Sequence, residues 1–181
     1  GLFALPGSAL DLARRGDVLY VAGGEAGLLA VDITRPAAPV LAGLLAADVG
    51  RSISSVTISG KRAYVCGDGG LGIVDVTSPV AMGWLAQADS PAAHAAIAGD
   101  TLFVVSGSQI DLYDVSATAR PLLLRTYRGI GTISRMAAQG DQLFVSSGGD
   151  GPELAVLSLK SPDYPVELDS TARSGQAYSA W

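Results

Sequence analysis

Short apolar runs alternate along the chain with clusters of Gly, Pro, Asp and Ser. Over residues 9–52 the runs are ALDLA from Ala9, VLYVA from Val18, LLAVDI from Leu28 and VLAGLL from Val40. Each is the length of a strand, is rich in β-branched, aliphatic or aromatic residues, and is bounded by turn-forming residues such as Gly16-Asp17, GGEAG and TRPAAP. No segment sustains an apolar period of 3.6 residues, so strands rather than helices are expected throughout.

The pattern recurs. GDVLYVA begins at Gly16, GKRAYVC at Gly60, GDTLFVV at Gly99 and GDQLFVS at Gly140, at spacings of 44, 39 and 41 residues. A second landmark keeps step with the first: VDIT at Val31, VDVT at Val74, YDVS at Tyr113 and LSLK at Leu157. A unit of this length built from four strands is a propeller blade. A β-sandwich also has many short strands, but it requires no phased repeat. The predicted fold is therefore all-β: a β-propeller of four-stranded antiparallel blades, with repeats at approximately 9–52, 53–91, 92–132 and 133–175. LFAL before the first repeat is similar to the last strand of a preceding blade, and GQAYSAW to the first strand of a following one. Residues 1–8 and 176–181 are accordingly read as parts of flanking blades, and the four repeats as an arc of a larger ring.

Composition narrows the function. The net charge of −5 argues against a nucleic-acid partner, which needs a basic face, and mildly against an electrostatic membrane-surface role. The longest uncharged stretch, Val76 to Ala88, is too short to span a bilayer and contains Pro79 and Gly83. One cysteine, Cys66, excludes an intramolecular disulfide and a Cys-x-x-Cys site, and one histidine, His94, excludes a His-rich metal site. No cofactor and no metal are expected. The chain has no asparagine, hence no N-glycosylation acceptor. GDGGLG from Gly67 fits the form G-x-G-x-x-G, but it joins two strands and is read as a hairpin turn.

GLLAVDITRPAAPVLAG and GLGIVDVTSPVAMGWLA resemble LVIVD repeats, which carry a Leu-x-Ile/Val-Val-Asp core, then Val/Ile-Ser/Thr and prolines. SQIDLYDVSATARPLLL is similar but looser, and ELAVLSLKSPDYPVEL has Ser158 in place of the aspartate. No Trp-Asp pair of the WD-repeat kind is present. The resemblance implies an extracytoplasmic bacterial or archaeal scaffold, at the cell surface, in the periplasm or secreted, and it implies no particular reaction.

Asp32, Asp75 and Asp114 each precede Thr34, Thr77 or Ser116 by two residues. They are read as turn-closing carboxylates that accept the next backbone N–H groups. The first strand of each blade differs in chemistry at one equivalent position, five residues before the turn glycine: Asp11, Ser55, His94 and Arg135. Leu12, Val56, Ala95 and Met136 follow them, so polar and apolar faces are expected to alternate. The four form either a solvated channel wall or a ring that holds a small polar or anionic ligand. Loops entering these strands place Arg51, Asp89 and Arg173 as partner contacts, or as solvated surface residues. No G-x-S-x-G elbow accompanies His94. The expected role is a non-enzymatic scaffold that binds a protein or a small polar ligand, with neighbouring blades or further copies of the chain as structural partners. The alternatives are an enzyme acting on a small anionic substrate at the channel end, and an accessory propeller of an adhesion or electron-transfer assembly.

Overall fold

The computed structural model describes residues 3–47, 51–88, 91–117, 121–128, 131–148, 152–160, 166–172 and 177–178. Among these, all regular structure is β. The first sheet contains β1 (Asp11–Arg15), β2 (Val18–Ala22), β3 (Leu28–Asp32) and β4 (Val40–Leu45). The second contains β5 (Ile53–Ser59), β6 (Arg62–Gly67), β7 (Gly70–Asp75) and β8 (Gly83–Ala88). The third contains β9 (His94–Ala98), β10 (Thr101–Ser106), β11 (Gln109–Asp114) and β12 (Leu122–Arg128). The fourth contains β13 (Thr132–Gln139), β14 (Gln142–Gly148), β15 (Pro152–Ser158), β16 (Val166–Ala172) and β17 (Ala177–Tyr178). Strands follow one another in sheet order as antiparallel meanders, so each sheet is a propeller blade.

The repeat is visible in backbone detail. The turn glycines Gly16, Gly60, Gly99 and Gly140 have φ between 56° and 59°. Arg15 pairs with Val18, Ser59 with Arg62 and Gln139 with Gln142, which leaves two-residue loops led by glycine. Among the described residues, none other than glycine has positive φ. Positive φ at the first loop position alone is the type II′ pattern, which matches strand twist and selects glycine there. Each outer strand also carries a bulge at one repeat position, opposite Ala30/Val31, Ile73/Val74, Leu112/Tyr113 and Val156/Leu157.

The contacts divide the chain into two compact units, Gly1–Ala95 and Ala96–Trp181. In the first, Tyr20, Ala22, Leu28 and Ala30 of one sheet pack on Ile53, Val56, Ala63, Val65 and Val74 of the next. A backbone clip adds to this packing, because Gly24 and Ile53 exchange two N–H···O bonds of 3.0 Å. In the second unit, Phe103, Val105, Ile110 and Leu112 meet Ile133, Met136, Leu143, Val145 and Leu157. Apart from Ile53, Val56, Ile133 and Met136 on the first strands, these are alternate positions of second and third strands, and their burial supplies the apolar driving force.

Residues 3–10 form no strand; Leu5 packs against the cluster of Val21, Leu29 and Val31, and Pro6 has no N–H to give a ladder. Ala177 and Tyr178 do not open a new sheet. They pair with Thr171 and Ser170 as a fifth strand on the fourth sheet, where an outer edge offers unpaired backbone groups to any extended segment within reach. An exposed polar residue followed by a buried apolar one is found at Arg135 and Met136 on β13, but not at the equivalent positions of the other three inner strands. Leu12 is 56% exposed, because β1 turns Ala13 rather than Leu12 toward the second sheet, while Ser55 is 1% exposed beside a buried Val56.

Candidate functional site

Strand register confirms that the chosen inner-strand positions are equivalent. Asp11 faces Ala22, Ser55 faces Cys66 and Arg135 faces Ser146, each on the second strand of its own sheet. His94 opens β9, five residues before Gly99. Bulges at Ser54 and Ser134 precede Ser55 and Arg135 and re-aim these side chains.

Three of the four side chains meet. Ser55 Oγ lies 2.9 Å from Asp11 Oδ2 and 2.7 Å from His94 Nδ1. Val56 N–H donates to the same Asp11 oxygen at 3.0 Å, and Leu12 N–H donates to Oδ1 at 3.0 Å. The imidazole Nδ1 and the carboxylate stand 3.9 Å apart with the hydroxyl between them. A carboxylate only accepts, so the single Ser55 proton goes to Asp11, and His94 carries its proton on Nδ1 and donates it to Oγ. The chain of donors runs from His94 through Ser55 to Asp11 and ties β9, β5 and β1 together. Arg135 belongs to the other unit, where its Nη1 donates to the Ser134 carbonyl at 3.3 Å.

The order of the three groups decides their chemistry. A nucleophilic serine must give its proton to an imidazole that a carboxylate orients from the opposite nitrogen. Here the serine stands in the middle and its proton is committed to the carboxylate. The arrangement is a clip between inner strands rather than a proton relay to a nucleophile. Among the described residues no group of three His, Cys, Asp or Glu side chains could hold a metal ion.

Of the loop candidates, Asp89 and Arg173 lie outside the described residues. Arg51 folds over the turn between β6 and β7, and its Nη1 donates to the Gly69 carbonyl at 3.0 Å. Beside it Ser52 N–H is capped by Asp68 Oδ1 at 2.5 Å. With Trp84 and Gln87, the residues Arg51, Ser52 and Gly69 border a cavity of about 30 Å³, room for little more than a single water. Cys66 borders the same space. Burial, with the charge of Asp11 second, pushes its thiol up to about 12.

The turn carboxylates behave as expected. Asp32 accepts Thr34 N–H at 2.7 Å, Asp75 accepts Thr77 N–H at 2.8 Å and Asp114 accepts Ser116 N–H at 2.8 Å. Side-chain hydroxyl bonds, then these backbone bonds, hold all three below the usual carboxylate range. Sequence reasoning missed Asp111, a buried carboxylate on β11 that accepts Thr126 Oγ1 at 2.6 Å and the Gln109 amide at 3.2 Å. Its signal was the two-residue polar period of Gln109, Asp111 and Tyr113 against Ile110 and Leu112. Also missed was the exposure of outer-strand leucines, Leu41 and Leu44 on β4, Leu85 on β8 and Leu122, Leu123 and Leu124 on β12.

The LVIVD repeat family matches residues 6–46 and 50–86, which are the first two sheets. No curated protein matches the sequence. Among solved structures, a functionally unknown protein from Desulfotomaculum acetoxidans is similar over 94% of this chain and 58% of its own, with 15% identity and a TM-score of 0.73. A protein from Lactobacillus plantarum is similar over 86% of this chain and 54% of its own, with 16% identity and a TM-score of 0.71. The computationally designed Ika4 protein is similar over 88% of this chain and 96% of its own, with 13% identity and a TM-score of 0.65. The chain therefore spans a little over half the length of the two natural proteins. These likenesses concern the fold.

Proposed function

For a chain that belongs to the LVIVD-repeat family through its first two repeats, we propose a non-enzymatic binding or scaffold role in an extracytoplasmic bacterial protein. The observation that carries this reading is the commitment of Ser55. The serine–histidine–carboxylate set of the first unit, in which Ser55 and His94 are buried, spends its protons on joining three inner strands. A framework clipped in this way holds its loops and outer strands with little ordering cost on binding. The exposed leucines of the outer strands give such a framework apolar contact surface for a protein. The extracytoplasmic setting rests on the family resemblance alone, and fractionation of the native source tests it.

The role itself is tested on the purified chain with two readouts: turnover of a panel of ester, phosphoester and glycoside substrates, and thermal shift against small polar metabolites and peptides. A scaffold shows no turnover above background, and Ser55→Ala and His94→Ala change its melting temperature only. Turnover that either substitution abolishes would overturn the reading in favour of an enzyme.

A further inference from the structure

The phased repeats allow one inter-sheet cleft to be read against another. In the first unit, the space beside the turn between β1 and β2 is crossed by Arg15, whose Nη1 donates to the Val76 carbonyl at 2.7 Å. Tyr20 reaches the same carbonyl with its hydroxyl at 3.3 Å. Val76 is held in turn by its N–H bond to the Lys61 carbonyl at 2.9 Å.

The second unit repeats this framework with different side chains. Leu159 N–H bonds the Asp141 carbonyl at 2.7 Å, as Val76 does with Lys61. Ala98 stands where Arg15 stands, immediately before the turn glycine, and Phe103 stands where Tyr20 stands. Both polar groups that reach the carbonyl in the first unit are therefore absent from the second. In their place lies a cavity of about 250 Å³ lined by Ala98, Thr101, Phe103, Asp141 and Leu159. The charge at the rim is inverted too, because Asp141 replaces Lys61. Lys160 Nζ lies 4.0 Å from Asp141 Oδ2, but the two side chains are 81% and 58% exposed, a contact that a better-placed cation displaces at little cost.

We propose that this cleft binds an alkylguanidinium group. Such a group reproduces what Arg15 does in the sibling cleft. Its N–H bonds the Leu159 carbonyl, its alkyl stem lies on Ala98 and Leu159, its plane meets the Phe103 ring, and its charge faces Asp141. The shared chemistry is found in a small free guanidinium compound and in the arginine side chain of a partner protein. The inference is independent of the role proposed above, since it uses none of the inner-strand clip.

The test is a titration of the purified chain with ethylguanidinium at constant ionic strength, followed by amide NMR, with ethylurea as the uncharged control. Saturable shifts at Gly99, Gly140 and Leu159 are expected with ethylguanidinium only. Asp141→Asn, an exposed change that leaves the core intact, should weaken binding about tenfold. Ala98→Arg, which supplies the guanidinium in cis, should abolish it. An acetylated and amidated Gly-Arg-Gly peptide separates the two sources: tighter binding than ethylguanidinium assigns the cleft to a partner's arginine, and weaker binding to a free compound. The inference is overturned if neither probe shifts these amides, if ethylurea shifts them equally, or if Asp141→Asn binds as well as the parent chain.

Discussion

Ser55 Oγ and His94 Nδ1 lie 2.7 Å apart although 39 residues separate them in the chain. The separation is one repeat, and the step from Asp11 to Ser55 is another, of 44 residues. Each link thus joins the inner strand of one sheet to the corresponding position of the next. A repeat protein gains stability from such nearest-neighbour terms. This one carries chemically different residues at positions that the backbone makes equivalent.

Ser55→Ala removes the hydroxyl from both neighbours at once. Asp11 keeps the N–H groups of Val56 and Leu12, but the buried His94 loses its acceptor at Nδ1. The expected cost is about 1–3 kcal/mol, the usual range for removing one partner of a buried hydrogen bond. Ser54→Ala removes only a 3.3 Å bond to the Cys66 carbonyl and should cost within about 0.5 kcal/mol. Urea denaturation of the two variants checks the difference, and equal losses would refute the clip.

The strands and turns were legible because local chemistry dictates them. The Gly-Asp and Gly-Lys turns need positive φ at their first residue, and the alternating runs need a buried face. The equivalence of Asp11, Ser55 and His94 was legible from the same phasing. Their mutual contact was not, because it depends on the bulge at Ser54, and bulges leave little mark in composition. The exposure of Leu12 was hidden for a related reason. A run of alternating residues specifies that one face is buried, while the neighbouring sheet decides which. The place of Ala177 and Tyr178 was hidden because two residues of extended chain fit any free edge.

Acid should weaken the blades through the turn carboxylates. The Thr77 hydroxyl and then the Thr77 N–H hold Asp75 below its ordinary value of 3.8. A folded value below the unfolded one gives stability that is present above pH 3.8 and is lost as the pH falls through the folded value. Asp32 and Asp114 contribute with the same sign. The melting temperature should therefore fall below about pH 4, and less steeply in Asp75→Asn, which has no charge to lose. Thr77→Val should raise the carboxyl titration midpoint of Asp75, as followed by carbon-13 NMR. An unchanged midpoint would mean that the hydroxyl does not stabilise the anion.

Cys66 gives a readout of opening in the first unit. Its side chain is 1% exposed, and its thiol is pushed up to about 12 by burial first and by the charge of Asp11 second. At pH 8 roughly one folded molecule in ten thousand carries the thiolate, the only form that attacks iodoacetamide. Labelling should thus be slow in the native chain and fast in urea. The sign for stability follows from the raised value. The protonated thiol favours the fold fully below its unfolded value of 9.0, and that contribution is lost as the pH rises toward 12. Asp11→Asn removes a charge that opposes the thiolate and weakens the bonds that hold β1 to β5, so it should speed labelling by both routes. The two routes separate by pH. Labelling through the folded state keeps rising with pH toward the raised thiol value, whereas labelling through open strands levels off above the unfolded value of 9.0. Native labelling at pH 8 as fast as labelling in urea would show that Cys66 is not buried.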